Sequence, residues 1–251
     1  MSIDIICINH KSDWLFRQQI EHWHNYMQGD FRLVLVDSSP QYYQDPGVDT
    51  GLPPTYELLG ETVHFFQPTS MFDGINSGEA YDFALSLCTS DIVGMTDPDH
   101  FWLNPNMLAR VEMLYSEEGY KCIGDAGFYR DFQSIFDVAN PSHAGHLAPV
   151  LWGQFIDREL ALSETWVCEP PGVGQITGWR VREKIIDQNI PRVTIPGFYQ
   201  EIEGEDPDIC YFGADRQKPV SVHFLKGSGG RAHVMEHRVP PVLAREKAKW
   251  V

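Results

Sequence analysis

Three runs of this sequence, IDIICIN (3–9), FRLVLVD (31–37) and IVGMT (92–96), carry apolar side chains at both odd and even positions. A strand with one wet face alternates apolar and polar residues. A strand that is apolar on both faces is covered on both, which is the habit of parallel sheets. That restricts the chain to a layered α/β arrangement with helices above and below the sheet. The intervening segments comply. SDWLFRQQIEHWHNYM (12–27) sets Leu15, Phe16, Gln19/Ile20, Trp23 and Tyr26/Met27 at helical spacing, with Ser12 as N-cap. Residues Ser77 to Leu87 read as a second helix. NPNMLARVEMLYSEEG (104–119) reads as a third, with Asn104 as cap and Pro105 in its first turn. ETVHFFQP (61–68) and YKCIGDAG (120–127) supply further strands. The order β-α-β-β-α-β-α-β predicts a doubly wound α/β sheet, a fold that binds ligands at the carboxyl ends of its strands.

Beyond Phe128 the pattern loosens. APVLWGQFIDREL (148–160) reads as a strand entering a helix, GWRVREKIIDQN (178–189) as a helix, and RVTIPGF (192–198) and VSVHFL (220–225) as strands. With neither linker nor repeat, residues 1–251 are expected to form one domain. Its first half, 1–127, is the regular one, and 128–251 forms a second, less regular lobe.

A net charge of −16 sets the body of the chain against nucleic acid or an anionic membrane as its main partner. A small anion held locally by a metal ion is compatible with it. The charge is uneven: from His223 to Val251 there are six basic residues (Lys226, Arg231, Arg238, Arg245, Lys247, Lys249) against Glu236 and Glu246. That tail is either a solvated terminus or an arm that closes over an anionic ligand. The five cysteines lack metal spacing, and Cys7, Cys88 and Cys122 sit in apolar runs as small buried hydrophobes would. No stretch has the length of a signal peptide core or a transmembrane segment, so the expected location is cytoplasmic.

The chemistry gathers in VGMTDPDHFW (93–102), where an apolar run ends on Asp97 and Asp99. Two carboxylates at i and i+2 behind a buried strand repel unless a cation lies between them. A hard divalent ion, Mn²⁺ or Mg²⁺, accepts carboxylate oxygens and keeps positions open for phosphates. The competing reading is a plain turn, since Asp and Pro are ordinary turn residues.

Taken together, FDGINSGEAYDFALSLCTSDIVGMTDPD (72–99), IICINHKSDWL (5–15) and LVLVDSSP (33–40) resemble the family 2 glycosyltransferases of the GT-A fold, in which an apolar strand ends in an Asp-X-Asp motif. The resemblance spans roughly the first half of the chain. It implies a Rossmann-like mixed sheet with a C-terminal acceptor lobe, a nucleoside-diphosphate sugar donor, and a glycan or other hydroxyl acceptor. It further implies that Asp37 meets the base or ribose, with backbone from Ile8 to His10 cradling the base. Asp73 and Asn76 would line the nucleotide pocket, Asp97 would meet ribose or metal, and Asp99 would be the principal metal ligand. Downstream, VSVHFLKGSGG (220–230) looks like the C-terminal strand of such enzymes. There His223 would complete the metal site, and Lys226 and Ser228 would contact phosphate from a glycine-rich loop.

One departure stands out. Inverting members need a carboxylate as general base before a late helix. In GVGQITGWRVREKI (172–185), Gln175 and Ile176 occupy its place. Asp157, Glu164 and Glu169 are the acids nearby, and Glu169, on the constrained CEPPG loop, is preferred. The missing acid keeps a second class open, a catalytically silent sugar-nucleotide or glycan-binding module on the same fold. A phosphohydrolase is disfavoured, because its Asp-X-Asp follows the first strand rather than the fourth. Trp152 and Trp166 fit core packing better than stacking on sugar faces.

Overall fold

The computed structural model describes residues 2–39, 53–69, 73–125, 153–167, 177–195, 209–213, 215, 217–224 and 236–250, and elements are numbered within these. Four parallel strands form the centre of the main sheet: β1 (Ile3–Asn9), β2 (Phe31–Asp37), β4 (Glu61–Phe65) and β5 (Ile92–Thr96). Their two-faced apolar runs sort by parity. Ile3, Ile5, Cys7, Leu33 and Leu35 pack on one face with Phe16, Ile20 and Trp23 of α1 (Asp13–Asn25) and Met107, Leu108 and Val111 of α3 (Met107–Ser116). Ile6, Ile8, Val34 and Val36 pack on the other with Ala80, Tyr81, Ala84 and Leu85 of α2 (Asp73–Leu87). Each such side chain, fully buried, contributes about 1.5–3 kcal/mol. The sheet thus exists because both of its faces are sealed.

The complete order is β3-β4-β2-β1-β5-β8-β7-β9, with β3 (Thr55–Leu58), β7 (Cys122–Asp125), β8 (Gly153–Asp157) and β9 (Arg192–Ile195) completing it. β8 runs antiparallel to both neighbours, β5 and β7, so the layer is mixed. Helices α4 (Arg158–Leu162) and α5 (Trp179–Asp187) follow β8 and pack on the α2 face through Ala161, Val181 and Ile185. β3 is not among the strands that the sequence pattern predicts. It pairs with β4 through a two-residue turn in which Leu59 and Gly60 both take positive φ (54° and 84°). That is the geometry a right-twisted hairpin needs, carried here by a leucine rather than the usual Asn or Asp. At α3 the cap is Asn106, not Asn104, whose side chain instead accepts from Asn106 N at 3.0 Å.

A second sheet, β10-β11-β6, stands beside the first. It consists of β10 (Ile209–Phe212), β11 (Ser221–Phe224) and the three-residue β6 (His100–Trp102), which begins immediately after the Asp-Pro-Asp turn. Its core joins Phe101, Leu103, Tyr211, Val222 and Phe224 to Leu15 of α1 and to Val239 and Leu243 of α6 (Val239–Lys247). Among the described residues no helix is long and apolar enough to cross a membrane. Cys7, Cys88 and Cys122 are buried free thiols, as their apolar settings predicted.

Candidate functional site

β5 carries the chain to Thr96 at its carboxyl end, and Asp97-Pro98-Asp99-His100 then reverses it, with His100 N donating to Asp97 O at 3.1 Å. β6 leaves this turn and pairs with β11 so that His223 lies opposite His100. Phe224 N donates to Asp99 O at 2.8 Å, which locks that register at the motif itself. The result is that His223 Nε2 stands 3.1 Å from Asp99 Oδ1, across 124 residues of sequence. One ligand atom from each of Asp97, Asp99 and His223 lies within 4.8 Å of the others, the one such cluster among the described residues.

Asp99 and His223 are buried and Asp97 is half-buried. Burial, and next the charge of Asp99, push the Asp97 carboxyl up to about 6, while His223 and the Tyr81 hydroxyl, 3.3 Å from Asp97 Oδ1, act the other way. The same field reaches β1. Burial first, then the two aspartates, holds the Cys7 thiol well above its ordinary range. Two close carboxylates, one buried and one half-buried, and an imidazole nitrogen are a poor arrangement for a dry turn and a good donor set for Mn²⁺ or Mg²⁺. The residues present therefore fit a divalent ion.

β1 and β2 end beside β5, and their ends share one polar network. Asp37, fully buried, accepts from Ser39 N (3.0 Å), Asn9 Nδ2 (3.2 Å) and the Tyr56 hydroxyl (3.1 Å). Burial raises its pKa, against the Ser39 and Tyr56 hydrogen bonds. Asn9, expected only for its backbone between Ile8 and His10, also donates from its side chain to Asp13 and accepts from Ser12 N, so it shapes the whole β1–α1 turn. An asparagine at a strand end reads as an ordinary turn residue, so nothing in the sequence marked its side chain. Ile8 is buried and His10 half-buried in the same turn. Asp73 and Asn76 fall in the first turns of α2, a helix that starts four residues before the expected Ser77, and their side chains lie outside the described residues. Next to them, the Ser77 and Thr177 hydroxyls are 2.5 Å apart, which brings the approach to α5 against the start of α2. Trp152, Glu169, Gln175, Ile176, Lys226 and Ser228 lie outside the described residues.

Asp157 requires a correction. In the antiparallel β5–β8 register it sits opposite Ile92, whereas Gly153 sits opposite Thr96. It is therefore at the far end of the sheet from the cluster, about 13 Å along the strand at roughly 3.3 Å per residue. Its Oδ1 caps α4 by accepting from Leu160 N at 3.0 Å, and its Oδ2 accepts from Tyr115 (2.6 Å) and Lys121 (2.8 Å). Burial opposes ionisation there, but the Lys121 and Tyr115 bonds outweigh it and hold the carboxyl below its ordinary value. Asp157 is a structural cap. Glu164 is half-buried and ion-paired to Lys184 at 3.5 Å. Trp166 is core, with its indole N–H donating to Ala161 O at 2.9 Å.

No family model matches this chain, and no curated protein does. Solved structures do. One is the mannosyltransferase PcManGT from Pyrobaculum calidifontis in complex with GDP-Man and Mn²⁺ (TM-score 0.50, 17% identity, 77% of this chain and 54% of that one). Another is glucosyl-3-phosphoglycerate synthase from Mycobacterium tuberculosis with Mn²⁺, UDP and glucosyl-3-phosphoglycerate (TM-score 0.52, 19% identity, 77% of this chain and 69% of that one). The same enzyme with Mg²⁺ and UDP gives a TM-score of 0.51 at 20% identity over 77% of this chain and 69% of that one. This chain spans about half the length of the mannosyltransferase. At such identities the likeness is one of fold, and the fold is that of the GT-A glycosyltransferases.

Proposed function

We propose that this chain is a metal-dependent glycosyltransferase that moves a sugar from a nucleoside-diphosphate sugar to a hydroxyl of a glycan or another acceptor. The observation that carries the reading is the Asp97–Asp99–His223 cluster at the carboxyl end of β5 in a GT-A fold. These three residues would hold Mn²⁺ or Mg²⁺, an ion whose chemistry is to neutralise the charge that develops on a departing diphosphate. The solved structures of like fold contain GDP-Man or UDP together with such an ion, which supports a donor of that class.

The chain's own residues divide the remaining work. The ends of β1 and β2, with Ile8, His10 and Asp37, would receive the nucleoside. Asp37, buried and already accepting hydrogen bonds from Asn9, Ser39 and Tyr56, would act chiefly by fixing the turns that line that end. Asp73 and Asn76 at the start of α2 would close the pocket, and Lys226 would meet the diphosphate. Glu169 would take the acceptor proton, now that Asp157 is accounted for as a helix cap. Residues 1–127 would be the donor half and 128–251 the half that completes the metal site and receives the acceptor. A cytoplasmic location is supported by the buried free thiols of Cys7, Cys88 and Cys122.

A second reading, a silent sugar-nucleotide or glycan-binding module, is favoured by Gln175 and Ile176, neither of which can take a proton. Thermal-shift titration with UDP-, GDP- and dTDP-sugars, with and without Mn²⁺, followed by donor hydrolysis, separates the two. Mn²⁺-dependent stabilisation that disappears in Asp99→Asn, together with turnover, is the expected outcome. Stabilisation without turnover selects the silent module. Equal behaviour of wild type and Asp99→Asn overturns the metal site.

A further inference from the structure

Helices α1 and α2 pack on opposite faces of the main sheet, yet both reach Asp97. From α1, Gln19 Nε2 donates to the main-chain carbonyl of Asp97 at 3.2 Å and also to that of His100. It therefore spans the two ends of the turn that presents Asp97 and Asp99. Both partners are carbonyl oxygens, which only accept, so the amide nitrogen and not its oxygen must face them. From α2, the Tyr81 hydroxyl donates to Asp97 Oδ1 at 3.3 Å.

Gln19 is a costly residue for its place. It is 1% exposed on the apolar face of α1, and its Oε1 is buried with no hydrogen-bond partner among the described residues. A buried amide oxygen left unpaired is destabilising, whereas a methionine of similar volume would leave nothing unpaired. Nor do the two carbonyls depend on Gln19 to be satisfied. Thr96 Oγ1 donates to His100 O at 3.2 Å, and His100 N donates to Asp97 O at 3.1 Å. What the amide adds is a fixed separation between those carbonyls, and hence a fixed presentation of the two carboxylates. Tyr81 adds the complementary constraint. Its ring is held against Trp166, centroids 5.7 Å apart, and aims the hydroxyl at a single carboxylate oxygen.

We propose that Gln19 and Tyr81 are positioning residues for the metal centre, gripping Asp97 from opposite faces of the sheet, the first by its backbone and the second by its carboxylate. This inference rests on the metal-site reading above. Partners that orient metal ligands in this way typically change metal affinity 10- to 100-fold when removed. The test uses Gln19→Met and Tyr81→Phe, with Mn²⁺ binding followed by the electron paramagnetic resonance signal of the free ion, alone and with UDP or GDP. Metal-free melting in EDTA is measured in parallel, with Asp99→Asn as reference. The expected result is that each variant binds Mn²⁺ about 10-fold or more weakly, while Gln19→Met melts no lower than wild type. If Gln19→Met does not fold, Tyr81→Phe decides. Wild type and Asp99→Asn binding Mn²⁺ alike would overturn the metal-site reading and this inference with it. Asp99-dependent binding in wild type that both variants match, or lose only in step with their melting temperature, would overturn the positioning roles alone.

Discussion

Asp97 and Asp99 are neighbours in sequence, but what makes a site of them is an imidazole 124 residues away. Asp97 and Asp99 stand out locally as two acids ending an apolar run, whereas His223 was expected beside them only through the resemblance of its strand to those of GT-A enzymes. The side chains of Gln19, Tyr81 and Asn9 were not legible. A glutamine inside an apolar helical face is only an exception to a pattern until the loop it faces is known, and that is a tertiary fact. Asp157 shows the converse error. Sequence places it near the acceptor half, whereas the antiparallel register of β8 sends it to the opposite end of the sheet. Its replacement is therefore expected to separate stability from function. Asp157→Asn should cost about 1–3 kcal/mol in urea unfolding, the scale of lost charged hydrogen bonds and a weakened cap. Mn²⁺-dependent nucleotide binding should stay within two-fold of wild type, roughly the precision of a titration. A selective loss of turnover with unchanged stability would return Asp157 to the chemistry.

Elements are tied together by groups whose partners are equally remote. Asp4, buried near the start of β1, accepts two hydrogen bonds from Arg32 of β2, both at 2.8 Å, and the amides of Thr89 (2.6 Å) and Ser90 (2.9 Å) before β5. Burial alone would raise its pKa, but Arg32 and the two amides prevail and the net shift is downward. A carboxyl depressed in the folded state stabilises above its unfolded pKa, near 4, and that stability is lost as pH falls through the folded value. Asp4→Asn should thus lower stability at pH 7 by about 1–3 kcal/mol, the scale of lost hydrogen bonds to a charged group, because the half-exposed Arg32 keeps its solvation. It should also flatten the acid limb of a pH–stability curve, and a limb as steep as wild type would show that other carboxylates carry it. A second tie is a close approach of backbones. A Cβ on Gly78 would come within 2.5 Å of Trp166 O and Val167 Cα, so α2 can lie on that segment only where it has no side chain. Gly78→Ala should cost about 1–3 kcal/mol by urea unfolding, as overpacking does when backbone has to move. The long two-faced strands and the helices between them were readable from periodicity. The hairpin at Leu59 and the three-residue β6 were not, because the first uses an atypical turn residue and the second has no period to detect.

On the scale of the whole molecule, the two sheets meet at the cluster: Asp97 and Asp99 follow a strand of the first, and His223 belongs to the second. A ligand that engages all three should fasten one sheet to the other. Amide hydrogen exchange is expected to slow across 100–102 and 221–224 with Mn²⁺ and UDP or GDP together, and to stay at the free rate when EDTA accompanies the nucleotide. Slowing confined to the ends of β1 and β2 would mean that the nucleotide docks without recruiting the second sheet. The same long reach between Asp99 and His223 has a consequence during synthesis. A nascent chain extended as far as Asp99 already contains both aspartates, but another 124 residues must be added before the histidine exists. At bacterial or eukaryotic elongation rates of roughly 5–20 residues per second, that interval is about 6–25 s. Throughout it the paired acids have no third partner, and any competence to hold an ion would have to wait for β11.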